Sequence, residues 1–305
     1  MDLSVDHIWQ PQPLTPCEQI NMSGVLVMVK REDLNHPIIQ GNKLRKLKYN
    51  VLEAINKGHQ TLLTFGGAYS NHLLATAFAA KQLGVKVVGI VRGDELKDNH
   101  STWSETLYQC QQLGMHLNFV NRSSYRQKQQ SQTVLEIISQ LDVPFIIPEG
   151  GSNELAVRGM AELVADLSLQ IMPPSHIICP VGTGGTLAGI ISGVRQQQWG
   201  CKVMGVSVLK GLQSVNDDIV QWLEPVDMAV DWRVLHDFHV GGYAKSTPEL
   251  ERFCISFYQQ QGIQLDKIYN SKSFYALAQM IKEGEITRHD RPLIVHTGGL
   301  QGGVF

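Results

Sequence analysis

The sequence predicts an α/β fold in which parallel sheets are covered by helices on both faces. Short apolar runs rich in β-branched residues alternate with segments whose apolar residues recur at helical spacing. Such continuous runs between helices are typical of parallel strands that are buried on both faces. The length of 305 residues suggests about two domains, and a content of 43% hydrophobic and 18% charged residues provides for large cores.

The elements follow from this alternation in chain order. Apolar residues from Leu44 to Ile55 recur at helical spacing and predict a helix over 44–57. The same spacing predicts further helices over 71–83, 101–113, 127–141, 153–169, 186–198 and 271–284. The apolar runs between them predict strands at Thr61–Phe65, Val85–Val91, Met115–Val120, Val143–Pro148, His176–Val181, Cys201–Val208 and Pro292–Thr297.

Composition and charge exclude several classes of protein. A net charge of −2 leaves no basic excess for a phosphate backbone, so we expect no nucleic-acid partner. The uncharged stretch 167–194 is long enough for a membrane span, but it contains three prolines and five glycines, so we interpret it as a buried strand, loop and helix. The first 13 residues contain no apolar segment, which argues against a signal peptide. Five widely spaced cysteines without a CxxC pair predict no metal site and a reducing, cytoplasmic location.

Glycine is the unusual component of this sequence. Twelve of the 28 glycines form six Gly-Gly pairs that are spread along the chain. Four of these pairs follow predicted strands, at 66–67, 150–151, 184–185 and 298–299. Ligands in open α/β sheets bind outside the carboxyl ends of the strands. We therefore expect these turns to converge on one ligand-binding crevice.

The loop Gly182-Thr183-Gly184-Gly185-Thr186 joins a predicted strand to a predicted helix. Free backbone N–H groups at a helix start bind anions, and glycine allows a ligand to approach closely. The loop is not a P-loop, and position 187 is leucine where a dinucleotide-binding loop needs glycine. We therefore expect it to hold a small monophosphate cofactor or substrate, although glycine needed only for packing would give the same pattern.

Lys43 is a candidate reactive lysine, because it follows Gly41-Asn42 at a predicted helix start. The helix dipole disfavours a cation there and lowers the pKa of the amine, which favours a nucleophile. Lys43, Arg45 and Lys46 could also form an ordinary solvated basic face of the helix.

Seven short motifs occur in order and together make a resemblance specific. They are VKREDL (29–34), GNKLRKLKYN (41–50), SNH (70–72), EGGSN (149–153), PVGTGGTLAG (180–189), VGGY (240–243) and HTGG (296–299). With them the chain resembles the 1-aminocyclopropane-1-carboxylate (ACC) deaminase and D-cysteine desulfhydrase family over nearly its whole length. The resemblance implies a pyridoxal 5′-phosphate (PLP) enzyme of the tryptophan-synthase-β-like fold, fold type II, with two open, twisted α/β domains. It also implies a large domain of residues 1–45 and 157–305, a smaller inserted domain of residues 46–156, and a homodimer.

The resemblance also implies site residues. Lys43 is the Schiff-base lysine, and Asn71 hydrogen-bonds the phenolic oxygen of the cofactor. Ser70 assists proton transfer or binds the substrate carboxylate, although its position also suits a helix N-cap. The loop of Gly182, Thr183, Gly184, Gly185 and Thr186 binds the phosphate.

Further family positions surround these residues. Tyr243 and Tyr269 lie near the substrate and the cofactor ring, and Thr297 meets the pyridine nitrogen. Lys46 matches a second lysine near the site, for which a supporting ion pair is an equal alternative. His72 completes a Ser-x-His pattern with Ser70, but this spacing does not make a hydrolase, and we interpret His72 as a pocket-lining or structural residue.

Three positions depart from the family pattern. Asn270 stands where ACC deaminases have a glutamate that faces the pyridine nitrogen, Tyr69 replaces glutamine, and Gln40 replaces glycine. A carboxylate keeps that nitrogen protonated and the ring a strong electron sink, and a neutral group does not. Asn270 therefore favours elimination of a β-leaving group over opening of a cyclopropane ring, and we expect Tyr69 to change the substrate wall.

These residues predict a PLP-dependent lyase or deaminase. We expect α,β-elimination on a small D-amino acid such as D-cysteine, which gives a 2-oxo acid and ammonia. The alternatives are ACC deamination to 2-oxobutanoate, racemisation or elimination on another amino acid such as D-serine, and a degenerate PLP-binding protein. A nucleotide-binding oxidoreductase is disfavoured, because no acidic residue follows the strand that ends at Val208.

Overall fold

The computed structural model describes residues 14–305, so the prediction about a signal peptide falls outside the described residues. Its strands are β1 Cys17–Met22, β2 Val25–Arg31, β3 Thr61–Gly66, β4 Lys86–Arg92, β5 His116–Val120, β6 Phe145–Ile147, β7 His176–Val181, β8 Lys202–Ser207, β9 Trp232–Leu235 and β10 Pro292–His296. Its helices are α1 Asn42–Asn56, α2 Asn71–Leu83, α3 Glu105–Gln112, α4 Arg122–Gln127, α5 Gln132–Ser139, α6 Glu154–Ser168, α7 Gly185–Gln196, α8 Val215–Trp222, α9 Pro248–Gln261 and α10 Asn270–Lys282.

The strands form two sheets, and this confirms the predicted α/β class. The first sheet has the order β1-β2-β10-β7-β8-β9, and the second has the order β5-β4-β3-β6. Every neighbouring pair is parallel except the β1–β2 hairpin. The four-stranded sheet consists only of residues from the predicted inserted domain, 46–156. The boundaries of that domain stay a prediction.

Local signals explain where several elements begin and end. Helix α2 begins and ends at the predicted residues, because the Ser70 side chain accepts a hydrogen bond from the Leu73 N–H and Gly84 ends the helix with a φ of 66°. The helix predicted from residue 101 begins only at Glu105, where Ser104 provides the cap. The helix predicted over 127–141 is wrong in its first part, because Lys128 has a φ of 51° and separates α4 from α5.

The uncharged stretch 167–194 is buried as predicted from residue 176 onward, whereas Leu169 and Met172 before it are exposed. It contains β7, whose six residues are all buried, and most of α7. Helix α7 packs closely on α6, because Gly189 leaves room that a side chain would take from Met160. Within residues 14–305, no helix combines the length and the apolarity needed to cross a membrane.

Candidate active site

One cavity of about 170 Å³ collects almost all of the predicted site residues. It lies where the carboxyl ends of β3, β7 and β10 meet the first turns of α1, α2 and α7. Gly185 is the exception, since it is buried beside Ser152 and does not line the cavity. The predicted residues that do line it are Lys43, Ser70, Asn71, Gly182, Thr183, Gly184, Thr186, Tyr243, Tyr269 and Thr297.

Lys43 lies in the first turn of α1, as the sequence predicts. Its Nζ is 3.0 Å from the Asn42 Oδ1, to which it donates a hydrogen bond. Burial lowers the pKa of the Lys43 amine to about 8, and the charge of Asp266 only partly opposes this effect. The sequence argument attributed the lowering to the helix dipole, whereas burial is the larger cause. A substantial fraction of the amine is therefore neutral near pH 8.

Lys46 is fully buried, one turn further along α1. Its Nζ donates a hydrogen bond of 2.6 Å to Ser152 Oγ, which lies 2.5 Å from Thr183 Oγ1. Burial, and then the charge of Lys43, holds the pKa of Lys46 well below its usual value. Among the described residues no carboxylate pairs with Lys46, so the ion-pair alternative is not met. Its hydrogen bonds lead instead to the loop at 182–186.

His72 has a defined tautomer. The Thr64 hydroxyl donates to the Ile147 carbonyl at 2.8 Å, so it can only accept from His72 Nε2, also at 2.8 Å. Nδ1 is then an acceptor, and it is buried without a partner within residues 14–305. Burial and the charges of Lys43 and Lys46 hold the pKa of His72 well below its usual value, so the ring is neutral. Because Ser70 caps α2 and His72 bonds Thr64, the two do not form a hydrolase pair.

The loop at 182–186 forms a cradle at the start of α7. Gly184 has a φ of 82°, a conformation that favours glycine, and it directs the loop into the helix. Thr186 Oγ1 accepts a hydrogen bond of 2.6 Å from the Asn42 side chain, which ties the cradle to the turn that carries Lys43. A side chain on Gly182 would lie 3.3 Å from Tyr269, so the loop also packs against the second tyrosine.

Tyr243 and Tyr269 meet at the cavity with their ring centroids 6.4 Å apart and nearly perpendicular. Burial raises the pKa of both phenols, and it raises that of Tyr269 furthest. Both side chains are therefore protonated at neutral pH and can act as hydrogen-bond donors.

Asn270 does not line the cavity and lies behind Thr297. Its amide nitrogen donates to Asp266 at 2.6 Å and to the Gly298 carbonyl at 2.8 Å. Its oxygen accepts from the Thr297 backbone N–H at 2.9 Å. The wall at this point is therefore Thr297, held by a neutral amide. Tyr69 is half-exposed and outside the cavity lining, so the expectation that it changes the substrate wall is not met.

Arg92 and Glu149 are cavity residues that the sequence analysis did not select. Arg92 ends β4, so the rule that strand ends face the ligand could have found it. Glu149 precedes the predicted Gly150-Gly151 turn. It accepts a hydrogen bond of 2.5 Å from the Tyr125 hydroxyl and pairs with Lys128 at 2.8 Å.

A partly buried lysine of lowered pKa beside an anion cradle at the carboxyl ends of parallel strands is the arrangement that a PLP-dependent enzyme needs. The family described as "Pyridoxal-phosphate dependent enzyme" matches residues 5–298, and the chain belongs to it. The chain is 28% identical to the "Bifunctional D-cysteine desulfhydrase/1-aminocyclopropane-1-carboxylate deaminase, mitochondrial" of Arabidopsis thaliana, over 94% of this chain and 77% of that protein. It is 26% identical to the "D-cysteine desulfhydrase" of Klebsiella pneumoniae, over 97% of this chain and 93% of that protein.

Solved structures agree with this assignment. A crystal structure of an "ACC deaminase homologue" superposes with a TM-score of 0.83 at 26% identity, and it covers 99% of this chain and 96% of the other. A serine racemase from Dictyostelium discoideum superposes with a TM-score of 0.70 at 16% identity, covering 97% and 96%, and shows the shared fold alone. The predicted fold type II is thus confirmed.

The residues present fit the PLP cofactor. The cavity contains an amine that can react with the aldehyde group and a glycine cradle that can bind the phosphate. The Asn71 side-chain oxygen is buried there without a protein partner in the described chain, so a polar ligand can complete its hydrogen bonds.

Proposed function

We propose that the protein catalyses α,β-elimination on a small amino acid that bears a β-leaving group, with D-cysteine as the reference substrate. D-cysteine and water would give pyruvate, ammonia and hydrogen sulfide. The observation that carries the proposal is the wall formed by Thr297, which is held from behind by the neutral amide of Asn270. A neutral wall does not hold a proton on a ring nitrogen as a carboxylate does. This favours a reaction in which the leaving group accepts the electrons.

The cofactor, when bound, supplies an electron sink for the carbanion formed at the substrate Cα. The cradle at 182–186 would hold its phosphate, with the buried Lys46 nearby as a donor. The NH2 group of the Asn71 side chain would donate a hydrogen bond to its phenolic oxygen, and Thr297 would face its ring nitrogen. These four groups would fix the orientation of the ring against the rest of the site.

Lys43 would move the proton. The neutral fraction of its Nζ, present near pH 8, accepts the proton from the substrate Cα. Ser70 lies at the N-cap of α2, so its hydroxyl and the free backbone N–H groups of the first turn can bind the substrate carboxylate. The protonated Tyr243 can donate a further hydrogen bond, and Tyr269 packs between Tyr243 and the cradle.

Product analysis tests this proposal. We expect purified holoenzyme to release sulfide and a 2-oxo acid from D-cysteine, with a much lower rate on ACC. We expect Lys43→Ala to lose both the visible absorbance of bound cofactor and the activity. Sulfide release that survives in Lys43→Ala with full absorbance would contradict the role of Lys43.

ACC deamination to 2-oxobutanoate is the second candidate, since the Arabidopsis relative carries both activities in its name. A rate on ACC above that on D-cysteine would favour it over the elimination reaction. A colourless protein that does not take up PLP would instead indicate a degenerate relative.

We also propose that the protein is a homodimer and that it is located in the reducing cytoplasm. All five cysteines, from Cys17 to Cys254, are free thiols, which supports a reducing compartment. The homodimer is supported by the family resemblance. Light scattering after size exclusion would test it, with a mass of about twice 34.0 kDa expected.

A further inference from the structure

A second cavity of about 640 Å³ adjoins the candidate active site. The two cavities share several wall residues, including Arg92, Glu149 and Thr183, so the larger one is the approach to the smaller one. Basic side chains outnumber acidic ones in its wall by four to two. They are Arg92, Arg122, Arg126 and Lys128 against Glu149 and Asp218.

Two of these basic groups already have partners. Lys128 pairs with Glu149 at 2.8 Å and lies 3.3 Å from the centre of the Tyr125 ring. Arg122 pairs with Glu95 at 2.7 Å. The Arg92 guanidinium, in contrast, forms no ion pair and no side-chain hydrogen bond with any residue in 14–305. Arg126 also has no such partner among these residues, but it lines only the larger cavity, whereas Arg92 lines both and lies 5.9 Å from the centre of the Tyr125 ring.

The head group of Arg92 lies beside the substrate-binding turn. Its Nη2 is 3.5 Å from the place where a side chain on Gly67 would begin, three residues before Ser70. Arg92 and Tyr243 both line the smaller cavity. Because Lys128 pairs with Glu149, Glu149 would not act as a free carboxylate opposing an anion bound at Arg92, and Asp218 is the other acidic residue of the cavity wall.

We propose that Arg92 binds a second negative charge on the substrate, and that the preferred substrates are amino acids with an anionic group on the β-carbon, with D-cysteine as the uncharged reference substrate of the same elimination. This inference rests on the proposed function, which assigns the α-carboxylate to Ser70 and the start of α2. A guanidinium recognises carboxylates and similar oxyanions in a bidentate manner, so it selects for a charged side chain over an apolar one.

Binding of two unreactive probes tests the proposal. D-alanine and D-aspartate both lack a β-leaving group and differ by one carboxylate, and each can be titrated into holoenzyme by the change in visible absorbance. We expect wild type to bind D-aspartate about ten- to hundredfold more tightly than D-alanine, the range of a charge-assisted hydrogen bond. In Arg92→Gln the ratio of the two affinities should fall to about one. In Arg92→Lys it should fall to a value between those of Arg92→Gln and the wild type.

Arg122→Gln is the matched control. It removes one positive charge from the same cavity wall, but from a residue that already pairs with Glu95, so the ratio of the two affinities should not change. An unchanged ratio in Arg92→Gln would overturn the proposal. If both probes also bind equally more weakly, the result assigns Arg92 to the α-carboxylate instead. The titration needs no turnover. Absent elimination activity would therefore contradict the proposed reaction, whereas the affinity ratio alone decides the role of Arg92.

Discussion

The backbone carbonyl of Thr297 lies in the space that a side chain on residue 41 would need. A Cβ added to Gly41 would lie 1.7 Å from the Thr297 oxygen, and Gly41 has a φ of 72°. The Thr297 carbonyl also accepts a long hydrogen bond of 3.4 Å from the Asn42 N–H. Helix α1 therefore begins against the end of β10, and this contact sets Lys43 opposite the Thr297 wall.

Gly41→Ala should separate these two segments. A methyl group cannot fit against the carbonyl and is also strained at positive φ, so we expect a loss of about 3–5 kcal/mol of unfolding free energy. We also expect cofactor absorbance to fall, because Lys43 moves with the helix start. Urea unfolding and PLP titration measure the two effects.

Gly58→Ala separates the effect of backbone strain from the effect of the contact with Thr297. Gly58 has a φ of 74° and no atom within 4 Å of an added Cβ, so it suffers the backbone strain alone. We expect a loss of about 1 kcal/mol and unchanged cofactor binding. Equal losses in the two variants would show that the contact between residue 41 and Thr297 does not matter.

The depressed pKa of Lys43 predicts a pH dependence of stability in cofactor-free protein. Between the folded pKa of about 8 and the unfolded value of 10.5, the unfolded chain holds a proton that the folded chain has released. Stability therefore rises with pH across this window. Lys43→Met removes the group, so the wild type should gain up to about 3 kcal/mol more than the variant from pH 8 to 10.5, reduced by water in the cavity. Urea unfolding at several pH values measures the difference, and parallel curves would contradict a pKa near 8.

The sequence was sufficient to predict the alternating strands and helices of the fold. Strand β7 and helix α2 were predicted to the residue, because a continuous apolar run and a clear cap mark them. Helix α9 was missed, although Thr247, Pro248 and Gly262 are ordinary start and stop signals. Its apolar face is interrupted by polar residues, so apolar spacing alone does not mark this helix.

Site residues could be predicted where a sequence motif marks them. They could not be predicted where side-chain burial decides which residue faces the cavity. Ten of the eleven predicted residues line one cavity, since strand ends and glycine turns can be found in the sequence. Asn270 lies behind Thr297 because it is held in a hydrogen-bond network with Asp266, four residues earlier in the chain. Sequence spacing does not show which of these side chains faces the ligand. Arg92 was missed because a single charge at a strand end is usually solvated.

Lys272 is a buried cation that holds two loops of the site together. Its Nζ donates to the carbonyls of Val208 at 3.1 Å and Gly242 at 2.6 Å, and the side chain is fully buried. Lys272→Met leaves both carbonyls without this donor, so we expect the segment before Tyr243 to loosen and kcat/KM to fall about tenfold or more while PLP remains bound.

Hydrogen exchange of residues 239–243 measures the loosening directly. Lys282→Met is the matched control, because Lys282 lies at the exposed end of the same helix α10. Faster exchange should appear only in Lys272→Met. If exchange and kcat/KM both stay at wild-type values, Lys272 does not position the Tyr243 segment.

Replacing Asn270 by aspartate, which changes its charge but hardly its shape, should destabilise the protein. Asn270→Asp replaces a donor with a carboxylate that faces Asp266 at 2.6 Å and the Gly298 carbonyl at 2.8 Å. Two buried carboxylates in contact cannot both ionise, so we expect a loss of about 3–5 kcal/mol at pH 7. The new carboxyl has a raised pKa in the folded state, so the loss should shrink as the pH falls towards 4.

Asn216→Asp, in the exposed first turn of α8, should change stability by less than about 0.5 kcal/mol. Urea unfolding from pH 4 to pH 7 checks this, and a deficit in Asn270→Asp that does not depend on pH would contradict the contact between the two carboxylates.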